Sequence, residues 1–528
     1  MNCRNVPGLT LSIVKGTQTW TRGFGVADLD KDIPVTDETL FLIGSLGKSF
    51  TMTLLGIMLE KTSYNWTTKI SDIEELNLEF IDDVITREVT IGDMLSHSTG
   101  LSAVTDYGFI GGYPDGTTRE LLSQRTKYIP KVSEFRESFV YNNMLYALLG
   151  YLTELVGDDT WQNLMTSHLL EPLGMTSSKP LGKSVMFESG YAKPYIMPDT
   201  ELEDGHYNIY SIYPLEPAGG IISNGKDMTK WMMFNLKSGK TEDGNQLLNK
   251  TVFNEAFKEQ NYLPYGGASQ SIKSPNFPVN DSTNAYGYAW FTSKYKGHRK
   301  IWHSGGLFSY ISLLWMFPEE DIGIFVSVNG PALPKTSSYA EQTILYYISD
   351  ILLGDKPWLD LETTCTFPKP WTKIGVEDLD IPQPSNNFTT TNLTRFIGNY
   401  GNILLPDIKV SIREGDVDPP YLWLELNRIK GELLPTEDEY AFKFKMVDPW
   451  EYAIERYLTK TVIIKLPLHF ITMDEVVSAL EFTFGPKEVI RFEKNAHFMP
   501  VSSSVSHAVQ LSMMFLTSVI ASSMSTVV

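Results

Sequence analysis

The chain has 528 residues, of which 42% are hydrophobic and 20% are charged. At roughly 150 residues per domain this length favours two or more domains, and so apolar a composition excludes a disordered protein. The 63 acidic residues outnumber the 44 basic residues, which gives a formal net charge of −19. Such a charge repels phosphate backbones, so we expect no nucleic-acid partner.

The first 360 residues mix predicted strands and helices. Strands are predicted at 9–14, at 19–25 and in two parts of 311–328 that separate at Pro318. Apolar residues recur at helical spacing in three segments: 49–59, 144–156 and 228–236. This mixture predicts an α+β domain over residues 1–360.

The pattern changes after residue 360. Prolines and a polar run predict an exposed linker over residues 361–385. Beyond it, apolar and polar residues alternate, as they do in strands with one face in solvent. We therefore predict a small β-barrel or sandwich over residues 386–498, with strands at 408–412, 422–426, 442–446 and 480–484.

Residues 499–528 form a hydrophobic tail without Asp, Glu, Lys or Arg. Small residues before the apolar stretch make it similar to a glycolipid-anchor signal, and a weakly hydrophobic chain end is the alternative. The amino terminus lacks the layout of a signal peptide. We expect an extracellular or cell-surface protein, membrane-anchored if the tail is an anchor signal, whose amino-terminal signal is missing from this chain. A cytoplasmic protein is the alternative. Five Asn-x-Ser/Thr sites could then carry glycans: Asn65, Asn249, Asn280, Asn387 and Asn392.

Two cysteines, Cys3 and Cys365, are too few for a disulfide framework or for a cysteine-based zinc site. One bridge between them is compatible with the sequence but does not follow from it. The chain also has no P-loop and no His-Glu-x-x-His motif. We therefore expect neither a metal ion nor a cofactor.

The segment Gly44-Ser45-Leu46-Gly47-Lys48 contains the first chemical motif. On a helix, Ser45 and Lys48 share one face about one turn apart, and the hydroxyl lies near the positive end of the helix. The lysine can take the serine proton if its amine is neutral, which burial or a second cation favours. Taken alone, the pair also fits a helix cap with a solvated lysine.

Two further motifs lie downstream. Tyr141 precedes Asn143 by two residues at the start of a predicted helix, where a phenol could move protons and an amide could orient a carbonyl. A core tyrosine with an asparagine cap is the alternative. In the segment 302–306, Gly305 and Gly306 would let a substrate approach a strand edge, where an NH could face an oxyanion.

Together these motifs resemble those of the serine β-lactamase and penicillin-binding protein superfamily, in its class C β-lactamase, D-aminopeptidase and esterase-like branch. The resemblance covers residues 6 to about 350 and includes these segments in order: Val6-Pro7-Gly8, Thr39-Leu40-Phe41, Leu95–Leu101, Pro172–Met175 and Pro217–Ile221. It implies a DD-peptidase/β-lactamase-like α+β fold, an antiparallel sheet flanked by helices plus a helical region. The second domain is similar, more loosely, to the lipocalin-like barrel that follows some of these hydrolases.

The resemblance also implies the residues that carry out catalysis. Ser45 would be the acylated nucleophile, Lys48 its base and Tyr141 a proton relay. The backbone NH groups of Ser45 and Gly306 would form the oxyanion hole.

Substrate binding is implied for Asn143, His303 and Gly305. His303 stands where many members have a lysine, and it could bind a carboxylate only when protonated. The alternative is a neutral histidine that holds the strand edge. His97, in the segment Leu95–Leu101, is similar to a structural loop residue.

We therefore predict a serine hydrolase that cleaves an amide, ester or lactam of a small-molecule or peptide substrate through an acyl-Ser45 intermediate. A catalytically silent scaffold or binding protein with the same fold is the alternative. The motifs specify neither the acyl group nor the oligomeric state.

Overall fold

A computed structural model describes residues 1–76, 78–105, 108, 111–183, 190–197, 202–205, 210–263, 279–331, 339–371, 392–413, 420–447, 467–485 and 488–498. The described residues form an α+β domain followed by a closed barrel. The predicted fold class is therefore confirmed.

The strands of the first domain are β1 Gly8–Lys15, β2 Gln18–Asp28, β3 Ile33–Pro34, β4 Phe41–Leu42, β5 Lys179–Pro180, β6 Tyr195–Ile196, β7 Glu203–Asp204, β8 Ile221–Ser223, β9 Asn261–Tyr262, β10 Asp281–Tyr286, β11 Phe291–Tyr295, β12 His298–Leu307, β13 Tyr310–Phe317 and β14 Ile322–Val328. Its α-helices among the described residues are α1 Gly47–Leu59, α2 Asp83–Glu88, α3 Ile91–Leu95, α4 Arg119–Ser123, α5 Asn143–Gly157, α6 Trp161–Met165, α7 Gly225–Leu236, α8 Lys250–Glu255, α9 Ala340–Leu353 and α10 Leu361–Thr366.

The main sheet is antiparallel, and its described strands are ordered β3-β2-β1-β14-β13-β12-β11-β10-β9. The predicted hairpin is confirmed as β1 and β2, and the two predicted apolar strands are confirmed as β13 and β14. Strand β1 pairs with β14, with Leu11 opposite Val326. The first and last strands of the domain therefore lie side by side at the middle of the sheet.

The sheet separates two cores. On one face, α9 packs over β13 and β14. On the other face, the helical region is built around α1, every residue of which is buried. This helix packs against α5, and its Phe50 stacks on Trp231 of α7 with 3.8 Å between ring centroids. Helix α7 in turn packs on β1, β2 and β14. The central helix α1 positions the Ser45 and Lys48 motif.

The barrel strands are β15 Gly398–Gly401, β16 Ile408–Arg413, β17 Tyr421–Leu426, β18 Ile429–Pro435, β19 Ala441–Met446, β20 Pro467–Met473, β21 Val476–Gly485 and β22 Glu488–Lys494. They follow one another in chain order, and β15 pairs with β22 to close the barrel. Inward-facing aromatic rings pack there, with Phe396 and Phe470 at 4.6 Å between centroids. Period-two alternation thus builds a barrel, because every second side chain points inward.

Two arginines, the buried Arg125 and the half-buried Arg428, join the barrel to the first domain. Arg125 donates from Nη1 to the carbonyl of Ile403 at 2.7 Å. In the opposite direction, Arg428 of the β17–β18 turn donates from Nη2 to the carbonyl of Ser211 at 2.7 Å and from Nε to that of Gly111 at 3.1 Å. Burial lowers the pKa of each guanidinium to about 10. Each domain therefore inserts one arginine into the other.

Cys3 and Cys365 form a disulfide bond, with 5.7 Å between their Cα atoms. The neighbouring Arg4 donates from Nη2 to the carbonyl of Phe367 at 2.7 Å, and Phe367 is fully buried. Of the predicted exposed linker 361–385, residues 361–371 are described and 372–385 lie outside the described residues. In the described part, Phe367 and Pro368 are buried against the first domain. The aromatic side chains of residues 361–371 pack there in spite of the surrounding prolines.

Four of the five candidate glycosylation sites are described, and each is exposed: Asn65, Asn249, Asn280 and Asn392. Asn387 and the hydrophobic tail 499–528 lie outside the described residues. Within the described part of the chain, the helices are all too short or too polar to cross a membrane.

Candidate active site

Ser45 lies in a short 3-10 helix, Gly44–Leu46, that leads directly into α1. Gly44 has a φ of +55°, a conformation that favours glycine. A Cβ on Gly44 would lie 2.4 Å from the backbone nitrogen of Gly306. The turn before Ser45 and the strand β12 are thus in direct backbone contact, and only a glycine fits between them.

Lys48 lies one turn further along and is fully buried. Its Nζ is 3.3 Å from Oγ of Ser45, 2.6 Å from Oδ1 of Asn143 and 2.7 Å from the carbonyl oxygen of Ala218. Burial favours the neutral form of an amine. The solvated lysine considered from the sequence is therefore not what the structure has.

Tyr141 and Asn143 lie at the start of α5, which packs against α1. The helix is capped by Asn142, whose Oδ1 accepts from the backbone NH of Leu145 at 3.3 Å. This cap directs Asn143 inward, onto Lys48. The ring of Tyr141 lies above the same amine, with Nζ 4.7 Å from the ring centroid. The entry to α5 thus places both predicted residues beside Lys48.

Gly305 and Gly306 lie near the end of β12, against the turn that carries Ser45. A Cβ on Gly305 would lie 1.8 Å from the carbonyl oxygen of Ile43, which also accepts from Oγ of Ser312 at 2.7 Å. The strand edge therefore approaches the turn more closely than any residue with a side chain allows. This contact brings Gly306 next to Ser45, as an oxyanion hole requires.

His303 is buried within β12, and its two ring nitrogens are both engaged. Nδ1 donates to the carbonyl of Ser304 at 2.5 Å, so Nε2 of the neutral ring accepts from the hydroxyl of Tyr286 at 3.0 Å. Burial and the nearby Lys48 lower the pKa of His303 to about 3. A carboxylate-binding role would need the protonated ring, which this burial disfavours. The contacts fit the alternative, in which His303 holds the strand edge.

His97 is fully buried beside the site, and its Nδ1 accepts from the backbone NH of Asn142 at 3.2 Å. Its ring lies 4.4 Å from that of Tyr141, between centroids. Burial lowers the pKa of His97 well below its usual value. These contacts fit the structural role that the sequence analysis gave to His97.

The sequence analysis missed three partners of the site residues: Asn142, Ala218 and Tyr286. Asn142 follows Tyr141 directly and has the side chain of a helix cap, so its signal was present. Ala218 contributes only a carbonyl oxygen, which no side-chain pattern reports. Tyr286 reaches His303 across β11, a proximity that depends on strand pairing.

Residues 1–347 match the Beta-lactamase family model, and the chain therefore belongs to the Beta-lactamase family. It is similar to Unguisins hydrolase ungD' from Aspergillus campestris (strain IBT 28561), with 25% identity over 365 residues that cover 67% of this chain and 63% of that protein. It is also similar to Protein flp from Staphylococcus aureus (strain N315), with 22% identity over 65% of this chain and 64% of that protein. The chain thus spans less than two thirds of the length of these relatives.

Solved structures with the same fold include the octameric penicillin-binding protein homologue from Pyrococcus abyssi. That structure has a TM-score of 0.55 and 22% identity, and the match covers 94% of this chain and 97% of that chain. The D-amino acid amidase from Ochrobactrum anthropi SV3 has a TM-score of 0.51 and 18% identity, and it covers 62% of this chain and 87% of that chain. The family match makes the chain a member of the β-lactamase-related hydrolase superfamily, and these neighbours share its fold.

Proposed function

We propose that the chain is a serine acyl hydrolase in which Ser45 is acylated and Lys48 is the base. The observation that carries the proposal is the set of contacts around Lys48. A neutral amine has two N–H groups and one lone pair, and the oxygens of Asn143 and Ala218 can accept both hydrogens. The lone pair is then directed at the longer contact, the hydroxyl of Ser45 at 3.3 Å.

The first half of the reaction forms the acyl-enzyme. Oγ of Ser45 attacks the substrate carbonyl carbon while its proton moves to Nζ of Lys48. The carbonyl oxygen becomes negative in the tetrahedral intermediate, where the backbone NH groups of Ser45 and Gly306 would donate to it. Collapse breaks the bond to the leaving group, which takes a proton through Tyr141.

The second half releases the acyl group. A water molecule attacks the carbonyl carbon of the acyl-Ser45 ester, and one of its protons passes to Lys48 or Tyr141. The bond to Oγ then breaks and Ser45 recovers its proton, which restores the starting state.

An amide is the substrate class that we place first. One similar structure is a D-amino acid amidase, and one similar sequence is an Unguisins hydrolase. Esters and lactams need the same nucleophile and oxyanion hole, so they are the alternative substrates within the same mechanism.

The proposal is tested by turnover of matched D- and L-amino acid amides, a carboxylic ester and a cephalosporin on purified protein. We expect amide hydrolysis that Ser45→Ala abolishes. Lys48→Ala and Tyr141→Phe should each lower kcat by about 10² or more, with a smaller change in KM, because each moves a proton. Absence of turnover of all these classes by the folded protein would favour the silent scaffold instead.

A further inference from the structure

A buried ion pair supports the segment that holds Lys48. Ala218, whose carbonyl accepts from Lys48, lies in the 3-10 helix Glu216–Ala218. The side chain of Glu216 is fully buried, and its Oε2 accepts from Nη2 of Arg119 at 2.9 Å. Its Oε1 accepts from Nε2 of Gln162 at 2.9 Å. Both carboxylate oxygens of Glu216 are therefore held.

Two further contacts connect the same segment to the helices of the site. Oγ1 of Thr51, on α1, donates to the carbonyl of Pro217 at 2.7 Å. The ring of Pro217 packs against Gly150 of α5, where a Cβ would lie 2.2 Å from Cγ of the proline. The carbonyl of Ala218 is thus held relative to both α1 and α5.

Such an ion pair contributes little net stability, because the cost of removing two charges from water offsets their attraction. Desolvation raises the pKa of Glu216, and the charge of Arg119 opposes that change. The pair is nevertheless directional, since the planar guanidinium and the carboxylate fix each other's orientation. The ion pair therefore fixes the geometry of the segment 216–218 more than it adds to its stability.

We propose that Arg119 and Glu216 are positioning residues for Lys48. They hold the Ala218 carbonyl where it accepts a hydrogen bond from one N–H of the Lys48 amine, so that the lone pair of the amine faces Ser45. The inference rests on the proposed function, because a misplaced lone pair has a consequence only if Lys48 takes the proton of Ser45.

The test compares Glu216→Gln with Glu154→Gln. Glu154 accepts from Nη1 of the same Arg119 at 2.5 Å, but it belongs to α5 and not to the 216–218 turn. The two variants therefore remove one carboxylate charge each from one arginine. Only Glu216→Gln loosens the turn that carries Ala218.

Two measurements are made on each full-length variant. The first is the limiting rate of Ser45 phosphonylation by a p-nitrophenyl phosphonate, together with the half-saturating probe concentration. The second is hydrogen exchange at Gly219 and Gly220, whose NH groups donate to the Glu216 carbonyl at 3.0 and 2.6 Å.

For Glu216→Gln we expect a limiting rate lower by about tenfold or more, a half-saturating concentration within about threefold, and faster exchange in the turn. For Glu154→Gln we expect the rate within about twofold and unchanged exchange. Arg119→Ala should also lower the limiting rate of phosphonylation. Arg119→Lys keeps one charged contact, so its limiting rate should lie between those of Arg119→Ala and the wild type. An equal loss of rate in the two glutamate variants would overturn the inference, as would wild-type rate and exchange in Glu216→Gln.

Thr51→Val provides a second variant in case Glu216→Gln does not fold. It removes the contact to Pro217 with little change in shape, and it should slow phosphonylation in the same direction. A wild-type rate in Thr51→Val with faster exchange in the turn would contradict the inference. If the wild type is not labelled at Ser45, the proposed function fails, while the exchange comparison still decides whether Glu216 holds the turn.

Discussion

Burial acts on Lys48 and His303 in the same direction, because it disfavours the charged form of each side chain. For Lys48 this favours an amine that can accept the proton of Ser45. For His303 it yields a neutral ring that accepts from Tyr286 and donates to the Ser304 carbonyl. Under the proposed function, the two neighbouring basic groups have different roles, since Lys48 takes part in proton transfer and His303 holds the strand edge.

The pH dependence of stability tests the neutral state of His303. Its pKa is about 3 in the folded protein against an unfolded value of 6.5. Between these values the unfolded chain binds one more proton, so the free energy of unfolding falls as the pH falls below 6.5, by up to about 1.4 kcal/mol per pH unit. Urea unfolding from pH 7 to pH 4.5 should show a shallower fall in His303→Gln. His97 titrates in the same direction in both proteins, so the difference reports His303.

A substrate pair provides the independent check. If His303 stays neutral, the ratio of kcat/KM for a carboxylate-bearing substrate to that for its neutral ester should not change through pH 6.5 because of this residue. A ratio that rises as the pH falls through 6.5, and that becomes flat in His303→Gln, would contradict the neutral ring.

At the scale of elements, the site depends on the contact between β12 and the turn that carries Ser45. A Cβ on Gly305 would meet the Ile43 carbonyl at 1.8 Å, so Gly305→Ala must push the strand edge away. A displacement of about 1 Å can cost about 10² in rate. We therefore expect Gly305→Ala to slow Ser45 acylation by about that factor, as measured by single-turnover kinetics.

Gly297→Ala is the matched control, in the turn at the other end of β12. Its φ of +92° strains any other residue, but a Cβ there meets no atom within 4 Å. It should lower stability while leaving the acylation rate close to that of the wild type. Equal rates in the two folded alanine variants would mean that the strand edge does not set the geometry of the oxyanion hole.

The elements that the sequence predicted are those with a local signature. The helical period marks α1, α5 and α7, and Ser45 and Lys48 share a face because they lie one turn apart on one helix. The Ala218 carbonyl and the approach of Tyr286 to His303 depend on residues far apart in the chain. The packing of the aromatic residues around Phe367 could not be predicted either, because the nearby prolines indicated a linker and partners such as Arg4 lie at the other end of the domain.

At the scale of the whole molecule, hydrogen bonds from Arg125 and Arg428 join the barrel to the first domain. Arg428 contacts Ser211, and the adjacent Tyr210 packs on Phe308 in the turn that follows β12, with ring centroids at 5.2 Å. A short series of contacts, from Arg428 through Ser211 and Tyr210 to Phe308, therefore connects the barrel to the strand that borders the site.

The Arg428 contact predicts a stability effect. Arg428→Ala removes the side-chain donor to the Ser211 carbonyl, while the Gly111 carbonyl still accepts from Nδ2 of Asn427 at 3.0 Å and from the backbone NH of residue 428 at 3.3 Å. We expect the loss to cost about 1 kcal/mol or more. Lys409→Ala removes an exposed basic residue of the same barrel and should change stability by less than about 0.5 kcal/mol. Chemical unfolding of both variants measures the difference. Equal stability of the two variants would show that the Arg428 contact does not hold the domains together.

The central claim is that Ser45 forms a covalent acyl-enzyme. The most direct measurement is intact mass followed by peptide mapping after reaction with a serine-directed acylating probe, in the wild type and in Ser45→Ala. The account predicts one added acyl group, located on Ser45 and absent from the folded Ser45→Ala variant. Labelling at another residue, or labelling that survives in Ser45→Ala, would contradict it.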